Sequence, residues 1–221
     1  MRITAIKYGE ALFCEKDMVR GGSKDVFLPI SFIVYLIQTQ GRNILVDAGM
    51  DDQGGFSMPI FKPPHQILAK MGVSPTDITD VIITHAHPDH INGVHNYKNA
   101  TVYIQKDEWM SEDNNIPEGF KIIMFDNEYI LSDRVIVKKI GGHSTGSSIV
   151  LADSYVFCGD ECYMQKSLTD NIMPGVTCCE KNSRNFLDIY CDEKYIKLLA
   201  HDPDLMKGRV GSALIFSENE L

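Results

Sequence analysis

The sequence has no apolar run approaching the roughly 20 residues that cross a bilayer, which excludes a membrane-spanning helix. Its start, Met-Arg-Ile-Thr-Ala-Ile, alternates like a strand and carries no long apolar leader, so a cytoplasmic location is expected. Basic residues are scarce: 21 Lys and Arg against 30 Asp and Glu leave a formal charge of −9. Binding to phosphate backbones needs Lys and Arg concentrated on one face, so no nucleic-acid partner is expected. The six cysteines (14, 158, 162, 178, 179 and 191) are too sparse for a disulfide framework in 221 residues, and free thiols are expected. Adjacent Cys178 and Cys179 suit a redox pair, a metal trap or incidental thiols. No internal repeat, low-complexity tract or Pro/Ser-rich linker interrupts the chain, so 1–221 reads as one domain.

What is there is an ordinary globular composition, 44% hydrophobic and 23% charged. Residues 2–7, 31–37 and 43–47 carry the β-branched and aromatic runs of strands, with Gly41-Arg42-Asn43 as a turn. Segment 63–71 reads as a helix: Pro63 and Pro64 open it, Ile67, Leu68 and Met71 share a face, and Gly72 follows. Val81-Ile82-Ile83 reads as a buried strand, and further strands are expected at 101–105, 121–125, 135–140, 148–152, 154–158, 195–199 and 212–217. Helices are expected at 106–111 and 179–191. Strands interspersed with helices predict an α/β layered fold.

The dense feature is Thr84-His85-Ala86-His87-Pro88-Asp89-His90. If this stretch is extended, His85, His87 and Asp89 point one way and His90 faces elsewhere, towards a second point a few ångströms off. Imidazole and carboxylate suit Zn²⁺ or Fe²⁺. Four such side chains within six residues, packed without a cation, would crowd charge and unpaired polar groups. Further ligand types stand where strands are expected to end. His143 follows Gly141-Gly142, Asp160 follows Gly159, and His201 follows Ile196-Lys197-Leu198-Leu199-Ala200. His65 and His95 read as structural or solvent-facing.

On these residues the chain resembles the metallo-β-lactamase superfamily: an acid-ended strand, then HxHxDH, then His, Asp and His on later strands. Asp47 in Ile44-Leu45-Val46-Asp47-Ala48-Gly49 matches the first of these, and the likeness runs from about residue 28 to 203. The resemblance implies a four-layer αββα sandwich with the site at one edge of its two sheets. It also implies two divalent ions, Zn²⁺ by default, with Fe²⁺, Mn²⁺ and Co²⁺ as other fits. His85, His87 and His143 would hold one ion, and Asp89, His90 and His201 the other. Asp160 would bridge them, while Asp47 would orient ligands by hydrogen bonding. Two such ions lower the pKa of a shared water from about 15.7 towards 7. A metal-bridging hydroxide then attacks the electrophile, with Asp89 placed to handle the proton.

Within that superfamily, flavodiiron-type redox enzymes carry Glu where this chain has His87, and true β-lactamases of the HxHxDH subclass lack the bridging Asp. Glyoxalase II-like thioesterases carry a helical C-terminal domain, whereas 20 residues follow His201 here. RNase Z-like phosphodiesterases use a basic exosite. The chain is most similar to the N-acyl-homoserine lactonases. Tyr163 stands three residues after Asp160, where their tyrosine assists the carbonyl oxygen, and the stretches Leu28-Pro29, Tyr35-Leu36 and 44–50 match theirs. A hydrolase that opens a small-molecule lactone or carboxylic ester is therefore expected, with Asp89 and Tyr163 as catalytic residues. The alternatives are a glyoxalase II-type thioesterase, a phosphodiesterase, or a non-enzymatic metal or redox sensor; Tyr163 would otherwise simply pack beneath the site. Phe56, Met58, Ile60 and Phe61 in loop 51–64 suit an acyl pocket, a contact between two copies in a homodimer, or packing onto the core.

Overall fold

The computed structural model describes residues 1–216, and two sheets dominate it. The strands are β1 (Arg2–Cys14), β2 (Phe27–Thr39), β3 (Arg42–Val46), β4 (Asp80–Ile82), β5 (Thr101–Gln105) and β6 (Lys121–Phe125). They continue with β7 (Glu128–Ser132), β8 (Val135–Lys139), β9 (Ser148–Ala152), β10 (Tyr155–Phe157), β11 (Ile196–Leu198) and β12 (Ser212–Phe216). The first sheet runs β12-β1-β2-β3-β4-β5-β6 and the second β11-β10-β9-β8-β7. Strands β3 to β6 are parallel, as are β10 and β11, so several chain segments leave the sheets at the same end.

Strand β2 shows why the layers form. Ile33, Tyr35 and Ile37 pack with Val137, Val150 and Phe157 of the second sheet. Phe32, Val34 and Leu36, on the opposite pleat, pack under helical elements with Ile67, Leu68 and Ile91. Both faces are covered, so the strand reads as a continuous apolar run rather than an alternating one. The helices are α1 (Glu15–Met18), α2 (Pro64–Lys70), α3 (Pro88–Ile91), α4 (Lys106–Trp109), α5 (Gln165–Thr169) and α6 (Glu180–Tyr190). On α6, Phe186, Leu187 and Tyr190 are buried with Ile149 and Val156 of the second sheet, closing the fourth layer. Truncating Phe186 to Ala would cost about 3–5 kcal/mol, as for other buried aromatics. Among the described residues, no helix is long and apolar enough to cross a membrane.

The expected elements are present, with instructive differences. The strand expected at 2–7 runs on to Cys14 because it pairs with β2 as far as Phe27. The helix expected at 106–111 is the single turn α4. Strand β7 was not anticipated; it is a short edge strand whose Glu128 and Ile130 face solvent while Tyr129 and Leu131 pack on the core. Of the strand expected at 212–217, residue 217 lies outside the described residues.

Candidate metal centre

The site lies where the strand ends converge. Asp47 follows β3, His85 and His87 follow β4, His143 follows β8, Asp160 follows β10 and His201 follows β11. Gly141 and Gly159 adopt φ of 70° and 51°, the left-handed turns that let the chain reverse just before His143 and Asp160. Strand β2 fixes His201: the amides of Ile33 and Ser31 donate to the carbonyls of Ala200 and His201 at 3.0 and 3.2 Å.

Two sets of side chains able to hold a metal ion result. His85, His87, His143 and Asp160 form one, and Asp89, His90 and His201 the other. In the first, His87 Nδ1 stands 3.0 Å from both His85 Nε2 and His143 Nε2. In the second, Asp89 Oδ2 lies 3.5 Å from His90 Nε2 and 3.4 Å from His201 Nε2. Asp160 spans both. Its Oδ2 is 3.8 and 3.6 Å from His85 and His143, while its Oδ1 is 3.1 Å from His90 and His201.

The grouping corrects the extended-chain reading of 85–90. The chain is extended only to His87; Pro88 then occupies the first position of α3, and its fixed φ turns the backbone helical. Asp89 therefore leaves the side of His85 and His87 and joins His90.

The other imidazole nitrogen of four of the histidines is anchored. His90 Nδ1 donates to Asp47 Oδ2 at 2.8 Å, and His201 Nδ1 to the Ser31 carbonyl at 2.8 Å. His143 Nδ1 donates to the Val176 carbonyl at 3.3 Å and His85 Nδ1 to Thr84 Oγ1 at 3.2 Å. With Nδ1 carrying the hydrogen, Nε2 turns a lone pair inward. His90 Nε2 and Asp160 Oδ1 are buried without a hydrogen-bond partner. Lone pairs facing lone pairs, out of water, are costly unless a cation sits among them. The donor set therefore fits two divalent ions of the zinc or iron type.

The two sets differ in proton affinity. Burial, with His90 close by, pushes His85 well below the usual histidine range, and burial lowers His143 too. Burial also works against charge on His90 and His201, but Asp160 and Asp89 outweigh it and raise both. Protons and a cation compete for the same nitrogens, so metal binding at the second set weakens as pH falls.

Tyr163 is buried at the site, its ring stacked on His201 at 5.3 Å and facing Phe13 at 6.5 Å. Burial and the Asp160 carboxylate raise its phenol well above 10.0, so the hydroxyl keeps its hydrogen. Loop 51–64 divides. Phe56 lines the site, Ile60 is exposed beside a neighbouring hollow, and Met58 and Phe61 pack into the core around Tyr8. His65 and His95 lie apart from both sets, each facing Asp51. The backbone amides of Cys178 and Cys179 both donate to the Gly142 carbonyl, bracing the His143 turn, and both thiols are free.

Two supports escaped the sequence reading. The Tyr8 hydroxyl donates to the Asp89 carbonyl at 2.7 Å. Glu161 is buried and accepts from the amides of Gly142 and His143 and from Ser147 Oγ. Burial pushes its carboxyl up to about 7. Its one signal in the sequence was a second acid directly after Asp160 in an apolar stretch.

Residues 34–161 match the family model of the metallo-beta-lactamase superfamily. A probable metallo-hydrolase of Methanocaldococcus jannaschii is 32% identical over 115 residues, covering 52% of this chain and 52% of that protein. The chain thus spans about half the length of that relative. An N-acyl homoserine lactonase of Bacillus cereus is 24% identical over 207 residues, covering 79% of this chain and 82% of its own. Among solved structures, an N-acyl homoserine lactone hydrolase with N-hexanoyl-L-homoserine at its catalytic metal centre superposes with a TM-score of 0.81. That match has 20% identity and covers 93% of this chain and 95% of the other, a likeness of fold.

Proposed function

The chain belongs to the metallo-beta-lactamase superfamily, and from that premise we propose that it is a two-metal hydrolase of neutral lactones or related carboxylic esters. The observation that carries this reading is the cavity over the two ligand sets. It holds about 250 Å³ and is walled by Phe13, Ile30, Phe56, Tyr163 and Val176, with the ligands as its floor. Among the described residues, no Lys or Arg lines it. A phosphodiester or a charged thioester would enter with no cationic side chain to meet it, whereas a small uncharged acyl compound fits. The lactonase of Bacillus cereus makes N-acyl homoserine lactones the natural first members of that class to test.

Two divalent ions, Zn²⁺ first among the candidates, would supply Lewis acidity and a water acidic enough to act as nucleophile near neutral pH. The chain's residues do the rest. The apolar walls exclude bulk water and hold the acyl group. The Tyr163 hydroxyl, its ring fixed between Phe13 and His201, donates to the carbonyl oxygen as negative charge develops there. As water adds to the carbonyl carbon, Asp89 takes its proton; when the C–O bond breaks, that proton passes to the departing alkoxide. The described fold acts as one catalytic domain.

A substrate panel tests this. Metal-loaded protein is offered N-hexanoyl-homoserine lactone, p-nitrophenyl acetate, S-lactoylglutathione and bis(p-nitrophenyl) phosphate. The lactone or the ester should give the highest kcat/KM. Preferential cleavage of the phosphodiester or the thioester overturns the reading, and metal-loaded protein that turns over none of the four favours a sensor.

A further inference from the structure

We propose that Glu108 is a positioning residue for the first ligand set, a buried carboxylate that locks the His85–His87 turn to the His143 loop. The inference rests on the two-metal reading above. Glu108 lies in α4, which carries no ligand and follows β5. Its side chain turns inward and the residue is 4% exposed. Oε2 accepts the Ala86 amide at 2.8 Å. Oε1 accepts the Ser144 hydroxyl at 2.6 Å and the Gly146 amide at 2.8 Å. Ala86 is the residue between His85 and His87, and Ser144 directly follows His143. One carboxylate thus fixes the backbone beside all three imidazoles of the set, and none beside Asp89, His90 or His201.

The surroundings are built for this contact. At Gly146 a Cβ would come within 2.2 Å of Gln105 Oε1 and 2.8 Å of Glu108 Cγ, so the loop approaches α4 only because it carries glycine there. The Glu108 carboxylate accepts from three donors, two backbone amides and one hydroxyl. Hydrogen bonds to a carboxylate are stronger than neutral ones and fix direction. His87 Nδ1 stands 3.0 Å from both the His85 and the His143 Nε2 atoms, so a small rotation of either loop spoils their common focus.

A carboxylate is needed rather than an amide. Glutamine offers one acceptor oxygen and an NH₂ whose hydrogens would face either the Ala86 amide or the donors of Ser144 and Gly146. Glu108→Gln keeps the volume and the helix yet breaks one of the two ties. Loss of a group that orients metal ligands typically lowers metal affinity about 10–100-fold.

The test reads each set separately by Zn²⁺ competition with a chromophoric chelator. His201→Ala leaves the first set intact and His143→Ala leaves the second. Glu108→Gln should weaken the one remaining ion about 10–100-fold in the His201→Ala background and less than about threefold in the His143→Ala background. A residue that merely stabilises α4 would lower the melting temperature of metal-free protein and leave the first-set affinity unchanged. That result, or equal losses in both backgrounds, overturns the proposal. Should Glu108→Gln not fold, Ser144→Ala removes a single donor and should still weaken the first set alone; an unchanged first set there also overturns it. Parent protein that fails to bind two equivalents would instead refute the two-metal reading itself.

Discussion

Replacing Asp47 by Asn changes one atom, and the structure predicts a large effect on the second ligand set. Asp47 sits at φ 61°, a left-handed conformation that Asp and Asn tolerate better than other side chains, so the backbone can stay in place. Its Oδ1 accepts the Thr84 amide at 2.8 Å; its Oδ2 accepts Thr84 Oγ1 at 3.0 Å and His90 Nδ1 at 2.8 Å. In the amide, Oδ1 can keep the Thr84 bond, but the nitrogen in place of Oδ2 presents hydrogens to the His90 N–H. Either that buried pair is left unmatched, or the His90 hydrogen moves to Nε2, the nitrogen that must face the cation. An unmatched buried donor costs about 1–3 kcal/mol, close to the 10–100-fold loss of affinity typical of such orienting groups. Metal-free Asp47→Asn should also melt earlier by about 2–4 °C for each kcal/mol lost. Competition titration in the His143→Ala background, where only Asp89, His90 and His201 hold the ion, measures the effect. Unchanged affinity there would refute the claim that Asp47 sets the His90 tautomer.

Tyr163→Phe removes only a hydroxyl; kcat on a lactone should fall about 10²-fold, roughly 3 kcal/mol, with both metals retained. Unchanged kinetics would demote Tyr163 to packing. Glu161 supplies a pH signature in metal-free protein. Its carboxyl is raised from 4.5 to about 7 by burial. The folded chain therefore keeps a proton that the unfolded chain has released, and its stabilising contribution is lost as pH rises from about 4.5 through about 7. At about 1.4 kcal/mol per tenfold the loss is on the order of 3 kcal/mol. Glu161→Gln should flatten that part of the stability curve, and identical slopes for the two proteins would show that Glu161 does not titrate there.

The side chains that gather at the site were legible because His85, His87, Asp89 and His90 crowd one short stretch, while His143, Asp160 and His201 each close a strand. Their division into sets was not legible from alternation, because Pro88 ends the extended chain one residue before Asp89. Strand β2 was readable from its β-branched and aromatic run, whereas β7 was missed, being a short edge strand in which only Tyr129 and Leu131 turn inward. Glu108, Glu161 and Tyr8 stayed hidden for a different reason. Their roles come from tertiary approach: a buried acid looks like any surface acid in sequence until backbone amides from distant loops converge on it. Loop 51–64 showed the same limit, since only packing decides that Phe56 faces the site while Met58 and Phe61 turn into the core.

Stepwise reconstitution tests the central claim most directly. Metal-free protein is titrated with Zn²⁺ while bound metal and hydrolysis of N-hexanoyl-homoserine lactone are followed together. Activity should climb until two equivalents are bound and remain flat beyond, and His143→Ala and His201→Ala should each stop at one equivalent with little turnover. Full activity at a single equivalent, or lactone hydrolysis indifferent to bound metal, would contradict the two-metal account.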